Sequence, residues 1–477
     1  METNIAYLLM LSTLGFFGYV GFQATSVKEL DSDEFLSARG SQDRLRIGLS
    51  LFASGMGIWV LFGPSEVGYY GGFWDVTGYA VSAATPFLLL AYVGPMIRER
   101  LPEGVTLADY VRMRLGRPMQ VYVGLISVLY MFTFLFAEFT AIGKGMEILA
   151  GLEPLIPMVA VAIVTAAYTA YGGLPASLAT DRIQALIVLF LVVALLLFLF
   201  GGDIGGLLAD AKAYTPEDIQ GEWYHGSMSD LSTFESGLAL VIAITAAEMF
   251  SQGNWQRAWA SESDEALKHG AWFAAALVLP LVFVMGVLGT VVAGQGAVDD
   301  PSAAFFYLID EAGTLFIAAF IVLAVALVCS SADTLQNAIV ASLTRDLSDG
   351  RMDLRLARIA TIAMMPIAIY YASTMDALSV FEIFLFADLL ATATVAPVLL
   401  SLWDKVSPAA ALFGAVSGLL SVIIYGAYTA DISTGIGYIF SPTNDWGLAN
   451  LDVFLAALIG SALVTVVGSL AVPDGSR

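Results

Sequence analysis

Long apolar runs, separated by short polar breaks, occupy the chain almost end to end. A membrane-spanning helix needs roughly 20 mostly apolar residues. Thirteen segments supply them: 4–24, 46–70, 76–97, 120–150, 154–172, 176–201, 235–255, 270–294, 313–343, 355–373, 376–403, 407–428 and 451–472. The pattern predicts an all-α, polytopic membrane protein of about 13 transmembrane helices, organised as a single unit over 1–477. Segment 4–24 has the length of a signal-peptide core. Its leader, Met1-Glu2-Thr3-Asn4, carries no basic residue, so it is read as a retained helix with its N-terminus outside.

The basic residues orient the spans, because cytoplasmic loops carry an excess of Lys and Arg. With thirteen spans, Lys28, Arg39, Arg44, Arg46, Arg98, Arg100, Arg112, Arg114, Arg117, Arg182, Arg257, Lys268, Arg345, Arg351, Arg355, Arg358, Lys405 and Arg477 all fall on one side. Lys212 lies in an opposite loop and Lys144 inside a span. The expectation is a multi-pass protein of the cell membrane, with the N-terminus outside, the C-terminus cytoplasmic and the lipid bilayer as its solvent. Arg257, at the end of 235–255, reads as a cytoplasmic anchor.

Composition narrows the class further. The chain is 58% hydrophobic and only 13% charged, with a mean hydropathy of +0.81; soluble domains carry about a quarter charged residues. The net charge of -22, with an acidic 203–234 loop, argues against a nucleic-acid partner. Fifteen arginines against five lysines on an acidic chain suggest a halophilic source. A single cysteine, Cys329, excludes an internal disulfide and cysteine-based metal sites. The two histidines, His225 and His269, fall in predicted loops, which argues against a zinc or iron centre. No nucleophile–base pair and no glycine-rich phosphate loop is apparent, so neither an enzyme nor a bound cofactor is expected.

Two spans are interrupted. Ala53-Ser54-Gly55-Met56-Gly57 breaks the second and Phe250-Ser251-Gln252-Gly253-Asn254 the seventh. Irregular backbone at membrane depth is tolerated where it lines a cavity. Two breaks five spans apart fit a pair of five-helix inverted repeats holding substrate and ion between them. The alternative for either break alone is close helix packing at small residues. Ionisable side chains inside spans mark pathways; they are Glu138, Lys144, Glu248, Asp333, Glu382 and Asp388, with Asp181 near a helix end. Glu138 and Lys144 are expected to pair structurally, with each other or with other buried groups, or Lys144 to reach the interface.

Three stretches carry a resemblance. Tyr171-Gly172-Gly173-Leu174-Pro175-Ala176-Ser177-Leu178-Ala179-Thr180-Asp181-Arg182-Ile183-Gln184 resembles the signature of the sodium/solute symporter family. Thr106-Leu107-Ala108-Asp109-Tyr110 with Arg114-Leu115-Gly116, and Ser330-Ser331-Ala332-Asp333-Thr334 with Leu343-Thr344-Arg345-Asp346, are similar to two more of its motifs. The resemblance implies a leucine-transporter-type fold with an extra helix at 4–24, repeats at 46–201 and 235–403, and two trailing helices within 407–472. It also implies sodium as the coupling ion, held by carbonyls of Ala53, Met56 and Leu327 and hydroxyls of Ser330 and Ser331. Oxygen ligands of this kind suit a hard cation. The bland reading of the two serines is back-bonding within their own helix. Asp181 matches an aspartate tied in some members to a second sodium; those members carry adjacent hydroxyls where this chain has Asp333 and Thr334, a departure that leaves the stoichiometry open. One sodium moving inward gains about 2.3 kcal/mol per 100 mV.

The solute is less legible. Asn254-Trp255-Gln256-Arg257-Ala258-Trp259-Ala260-Ser261 resembles a stretch of the family's urea-transporter branch. Urea or a similar neutral amide would donate to Glu248 or Asp388, lie against Trp59 and meet Ser251 or Gln252 at the second break. Proline, a monocarboxylate or a sugar are the alternative solutes. A membrane sensor on the same unit is the alternative of another class; nothing beyond the last span reads as a signalling module, so it would need a separate partner. A symporter needs sodium and solute but no obligatory protein partner.

Overall fold

The computed structural model describes residues 2–25, 30–213, 234–296, 298–309, 313–374, 379–444 and 447–471. Lys28, His225, Arg477 and most of the predicted acidic loop lie outside them. The described residues are helical, with two isolated bridges and no strand. In chain order the helices are α1 (Thr3–Thr25), α2 (Ser32–Ser37), α3 (Arg44–Gly55), a short 3-10 turn (Ile58–Leu61), α4 (Gly63–Tyr70), α5 (Phe73–Arg100), α6 (Leu107–Ala150), α7 (Leu155–Ala213) and α8 (Phe234–Glu248). There follow α9 (Gln252–Ala260), α10 (Asp264–Gln295), α11 (Ala304–Tyr307), α12 (Thr314–Ala341), α13 (Leu354–Thr374), α14 (Val380–Leu400), α15 (Pro408–Thr429), α16 (Ile432–Phe440) and α17 (Leu451–Ala471).

Among the described residues, ten helices are long and apolar enough to cross a membrane, or twelve if each of two bent pairs counts as one span. The bent pairs are the two interrupted segments: Arg44–Gly55 with Ile58–Tyr70 at 59°, and Phe234–Glu248 with Gln252–Ala260 at 58°. The difference from thirteen lies in 154–172 and 176–201, which form one continuous element, α7. Its apolar part, Leu155–Ala194, has 40 residues. A straight helix of that length would run about 60 Å, twice the hydrocarbon thickness. Gly173, in the left-handed region at φ 57°, turns the chain inside it. The region after α15, expected to be loop, contains α16; nine residues are too short to span.

Polar residues start the helices where the sequence changes from polar to apolar. Thr106 caps α6 through the Asp109 N–H (3.1 Å), and Ser263 caps α10 through the Ala266 N–H (3.1 Å). Ser379 and Glu382 form a capping box at the start of α14. Glu382 is therefore not a mid-span charge, as expected from its apolar surroundings, but an exposed cap.

Helix α12 is the hub. Every residue from Leu323 to Ala341 is buried, against α7, α6, α1, α9 and α3. A helix covered on all sides carries its polar residues into the interior. Large apolar side chains such as Leu8, Phe190 and Ile424 instead face outward, as lipid requires and water would not allow.

Two of the three sequence stretches meet at the arginine-rich end. Thr106 Oγ1 donates to Asp346 (2.7 Å), and Arg345 pairs with Asp109 (3.3 Å). Arg117 donates to the carbonyls of Asp346 (2.5 Å) and Leu347 (2.9 Å). Arg39 reaches the Pro102 and Gly104 carbonyls (2.7 and 3.1 Å), and its hydrogen bonds hold the Asp33 carboxyl below the usual range. Gly173 packs directly on the Phe35 backbone, where a Cβ would collide with the carbonyl oxygen and sit at an unfavourable φ. Gly173→Ala should cost about 1–3 kcal/mol, read as a lowered melting temperature. Gly151→Ala, with φ 62° but open space around it, should cost less; equal losses would remove the packing argument.

Candidate functional site

The first break begins where α3 ends at Gly55. Met56 (φ -100°, ψ 86°) and Gly57 (φ -81°, ψ 178°) leave the helix before the 3-10 turn. The N–H groups that follow would be orphaned in an apolar interior. Glu138 of α6 accepts both, from Ile58 at 2.9 Å and Trp59 at 3.1 Å. Gly57 permits this approach, since a Cβ there would overlap the carboxylate. Glu138 also accepts from Ser331 Oγ at 2.5 Å. Of the two structural pairings expected, Glu138 and Lys144 take other groups rather than each other. Lys144 instead binds Asp300 (2.7 Å) and Ser302 (2.5 Å) in a connecting segment. Burial pushes the Asp300 carboxyl up, but Lys144 and Ser302 outweigh it and hold it below its ordinary range.

The second break follows Glu248, the last residue of α8. Trp255 Nε1 donates back to the Met249 carbonyl (2.8 Å), closing the turn. Glu248 accepts from Tyr130 Oη (2.7 Å) and Asn254 Nδ2 (2.9 Å). Ser251 is buried at the start of α9. Gln252 does not face an open space. Its Oε1 accepts from the Leu107 N–H (2.7 Å), and its Nε2 donates to Ser127 (2.8 Å). It ties the second break to the start of α6, because an isolated helix N-terminus needs acceptors.

Between the breaks lies a narrow cavity contributed by α3, the 3-10 turn, α5, α6, α8 and α14. Its polar groups are Glu248 and Asp388, with the hydroxyls of Tyr79 and Tyr130. Trp59, Phe87, Phe134 and Phe384 supply aromatic walls. No Lys, Arg or His lines it among the described residues. The Asp388 carboxylate is buried (3% exposed) and accepts no hydrogen bond from a described side chain or N–H. Trp59 Nε1 is likewise buried without a partner. Unsatisfied polar groups of this kind are costly inside a protein, and here they border the same space. Trp59, Glu248 and Asp388 thus come together, whereas Ser251 and Gln252 stand outside the lining. Tyr79 and Tyr130 were not singled out from the sequence, because nothing in their spacing distinguishes them from packing aromatics; Asn254 was placed in the second break but given no role.

The residues expected to hold sodium lie beside this cavity. Ser331 Oγ lies 3.2 Å from the Leu327 and Val328 carbonyls as well as 2.5 Å from Glu138. Ser330 Oγ donates to Asp181 Oδ1 at 2.8 Å. The Ala53 carbonyl accepts from the Met56 N–H at 3.2 Å. Each serine hydroxyl thus has a carboxylate acceptor for its proton, which leaves oxygen lone pairs for another partner.

Asp181, Asp333 and Thr334 are also close, but Arg257 stands among them. Arg257 is fully buried, not anchored at the membrane surface as its position at a span end suggested. Its Nη2 lies 2.7 Å from both Asp181 Oδ2 and Thr334 Oγ1, and its Nε donates to Ser50 at 2.7 Å. The bend before α9 turns this residue inward. Asp333 accepts from Tyr168 (2.6 Å), Ser177 (2.6 Å) and Thr180 (3.1 Å).

Comparison with known proteins agrees with this architecture. The chain is 27% identical to the spermidine transporter DUR31 of Candida albicans, covering 98% of this chain and 88% of that one. A sodium/proline symporter of Staphylococcus aureus is 28% identical over 193 residues, 39% of this chain and 36% of that one. Among solved structures, a sodium-coupled sialic acid symporter in a substrate-bound outward-open state superposes with a TM-score of 0.77, at 15% identity over 98% of this chain and 99% of that one. Mhp1, a nucleobase-cation-symport-1 family transporter, gives 0.57 at 13% identity, covering 93% of this chain and 95% of that one. These neighbours share the leucine-transporter-type fold. The profile of the sodium:solute symporter family matches residues 35–418. With that match over most of its length and both broken helices in place, the chain belongs to the sodium:solute symporter family.

Proposed function

We propose that the protein imports a small organic cation of the amine or polyamine class, coupled to one sodium ion. The observation that carries this reading is Asp388, a buried carboxylate that accepts no hydrogen bond among the described residues, in a cavity shared with Glu248 and lined by no cation among them. An ammonium group supplies both the missing charge and the missing donors. The rings of Trp59, Phe87 and Phe134 offer faces to a cation and apolar surface to an alkyl chain. The spermidine transporter from Candida albicans, similar over nearly the whole chain, agrees with this chemistry. A carboxylate solute fits poorly, because it would meet two acids and no cation.

A neutral amide such as urea is the second reading, favoured by Trp59 Nε1. The indole N–H would donate to the carbonyl while the two acids accept from the amide nitrogens. Binding of spermidine, urea, L-proline, glucose and acetate to the purified protein, with sodium or with potassium, separates the readings. Spermidine should bind with sodium present. Binding of urea alone would replace the first reading with the second.

In this account sodium lies between the first break and α12, held by the carbonyls of Ala53, Met56 and Leu327 and the hydroxyls of Ser330 and Ser331. Arg257 supplies the cation that Asp181 would otherwise draw from solution, which supports one sodium rather than two. The segments 46–201 and 235–403 act as the moving repeats, with the N-terminus outside and the arginine-rich end cytoplasmic. The Ser330→Ala, Ser331→Ala double variant should raise the half-saturating sodium concentration by about tenfold or more, roughly 1.4 kcal/mol. Unchanged sodium dependence would move the ion elsewhere.

A further inference from the structure

We propose that Glu138 links sodium occupancy to the solute cavity, acting as a positioning residue for both. The inference rests on the reading that Ser331 is a sodium ligand. Glu138 is fully buried on α6 and accepts three hydrogen bonds, from Ser331 Oγ, the Ile58 N–H and the Trp59 N–H. It has no ion-pair partner among the described residues. The other carboxylate at this site, Asp181, has Arg257. A buried negative charge with donors but no counter-charge is incomplete. A cation one hydroxyl away, on the oxygen of Ser331, would complete it.

The geometry sets the direction of the link. A serine hydroxyl binds a cation through its lone pairs, so its proton must be directed elsewhere. Ser331 has weaker choices in its own helix, the Leu327 and Val328 carbonyls at 3.2 Å. The 2.5 Å bond to Glu138 directs the proton away from the helix backbone. The second oxygen of the same carboxylate holds the Trp59 N–H at 3.1 Å, and the Trp59 side chain lines the cavity. A cation on Ser331 strengthens the grip of Glu138 on that hydroxyl, and the same carboxylate fixes the backbone that aims the indole. Gly57 belongs to the device, because any side chain there would drive the carboxylate off. By linkage, solute binding then tightens sodium binding by the same factor that sodium tightens solute binding.

The test uses the full chain in nanodiscs, with sodium exchanged for potassium at constant ionic strength and spermidine as the solute probe. Glu138→Gln keeps the shape but loses the charge and one acceptor. It should raise the half-saturating sodium concentration about tenfold or more and reduce the sodium-induced gain in spermidine affinity to within about twofold of none. Spermidine affinity measured without sodium should change less than the sodium affinity does, because Glu138 reaches the cavity only through the Trp59 backbone; a general lesion would lower both alike. Glu138→Asp should recover part of the sodium affinity. If Glu138→Gln does not fold, Glu138→Asp decides, with at least about a threefold rise expected. Wild-type sodium affinity in the folded Glu138 variants, with Ser331→Ala impaired, overturns this inference and leaves the sodium site standing. Wild-type affinity in Ser331→Ala as well overturns both.

Discussion

Arg257→Gln is expected to lower stability by about 3–5 kcal/mol, among the largest losses from any single polar substitution in this protein. The guanidinium is wholly enclosed and serves four acceptors: Asp181, Thr334, Ser50 and the Gly253 carbonyl. Among the described residues, removing it leaves Asp181 buried with the hydroxyls of Ser50 and Ser330 alone to oppose its charge. The cost arises from the stranded carboxylate rather than from the net worth of the pair. Adding Asp181→Asn to the Arg257→Gln variant should therefore recover stability. Thermal unfolding in detergent of wild type, the two single variants and the double variant reads the effect. A double variant less stable than Arg257→Gln would show that the pair is not the cause.

The largest functional loss is expected at the two cavity acids. Asp388→Asn and Glu248→Gln each remove a charge that an ammonium would face in a desolvated site. Truncating one side of such a pair costs about 2–5 kcal/mol, a rise in half-saturating spermidine of about thirtyfold or more. Asp388 should be the more sensitive, because Glu248 also has Tyr130 and Asn254 to hold it, whereas Asp388 has no described donor. The measurement is spermidine binding at saturating sodium, with melting temperature as the control for folding. Unaltered affinity in both variants would place the solute outside this cavity.

Much of the architecture was legible because a bilayer imposes simple rules on sequence. Apolar length marked the spans, and the Gly-Ser steps at 53–57 and 251–253 marked both breaks, since each was flanked by strong apolar runs. Most of the misreadings share a cause: partners distant in sequence. Arg257 was taken for a surface anchor because it closes an apolar run. A 58° bend turns it toward Asp181, 76 positions earlier. Gln252 was placed at the right break but given the wrong role, because Leu107, 145 positions away, takes its carbonyl. Glu382 was misread although the signal was present: Ser379 stands three residues before it, the spacing of a capping box. Glu138 was recognised as buried with its partner left open between Lys144 and other buried groups; the contact with Ser331 that settles it is created only by the folded chain.

Transport driven by sodium is the centre of this account, and spermidine uptake into proteoliposomes reads it directly. The membrane potential should be clamped with equal potassium and valinomycin, because a cationic solute also responds to voltage. An inward sodium gradient should then accumulate labelled spermidine above its equilibrium level, and a sodium ionophore should collapse the accumulation. Equal uptake with and without the sodium gradient would contradict the account.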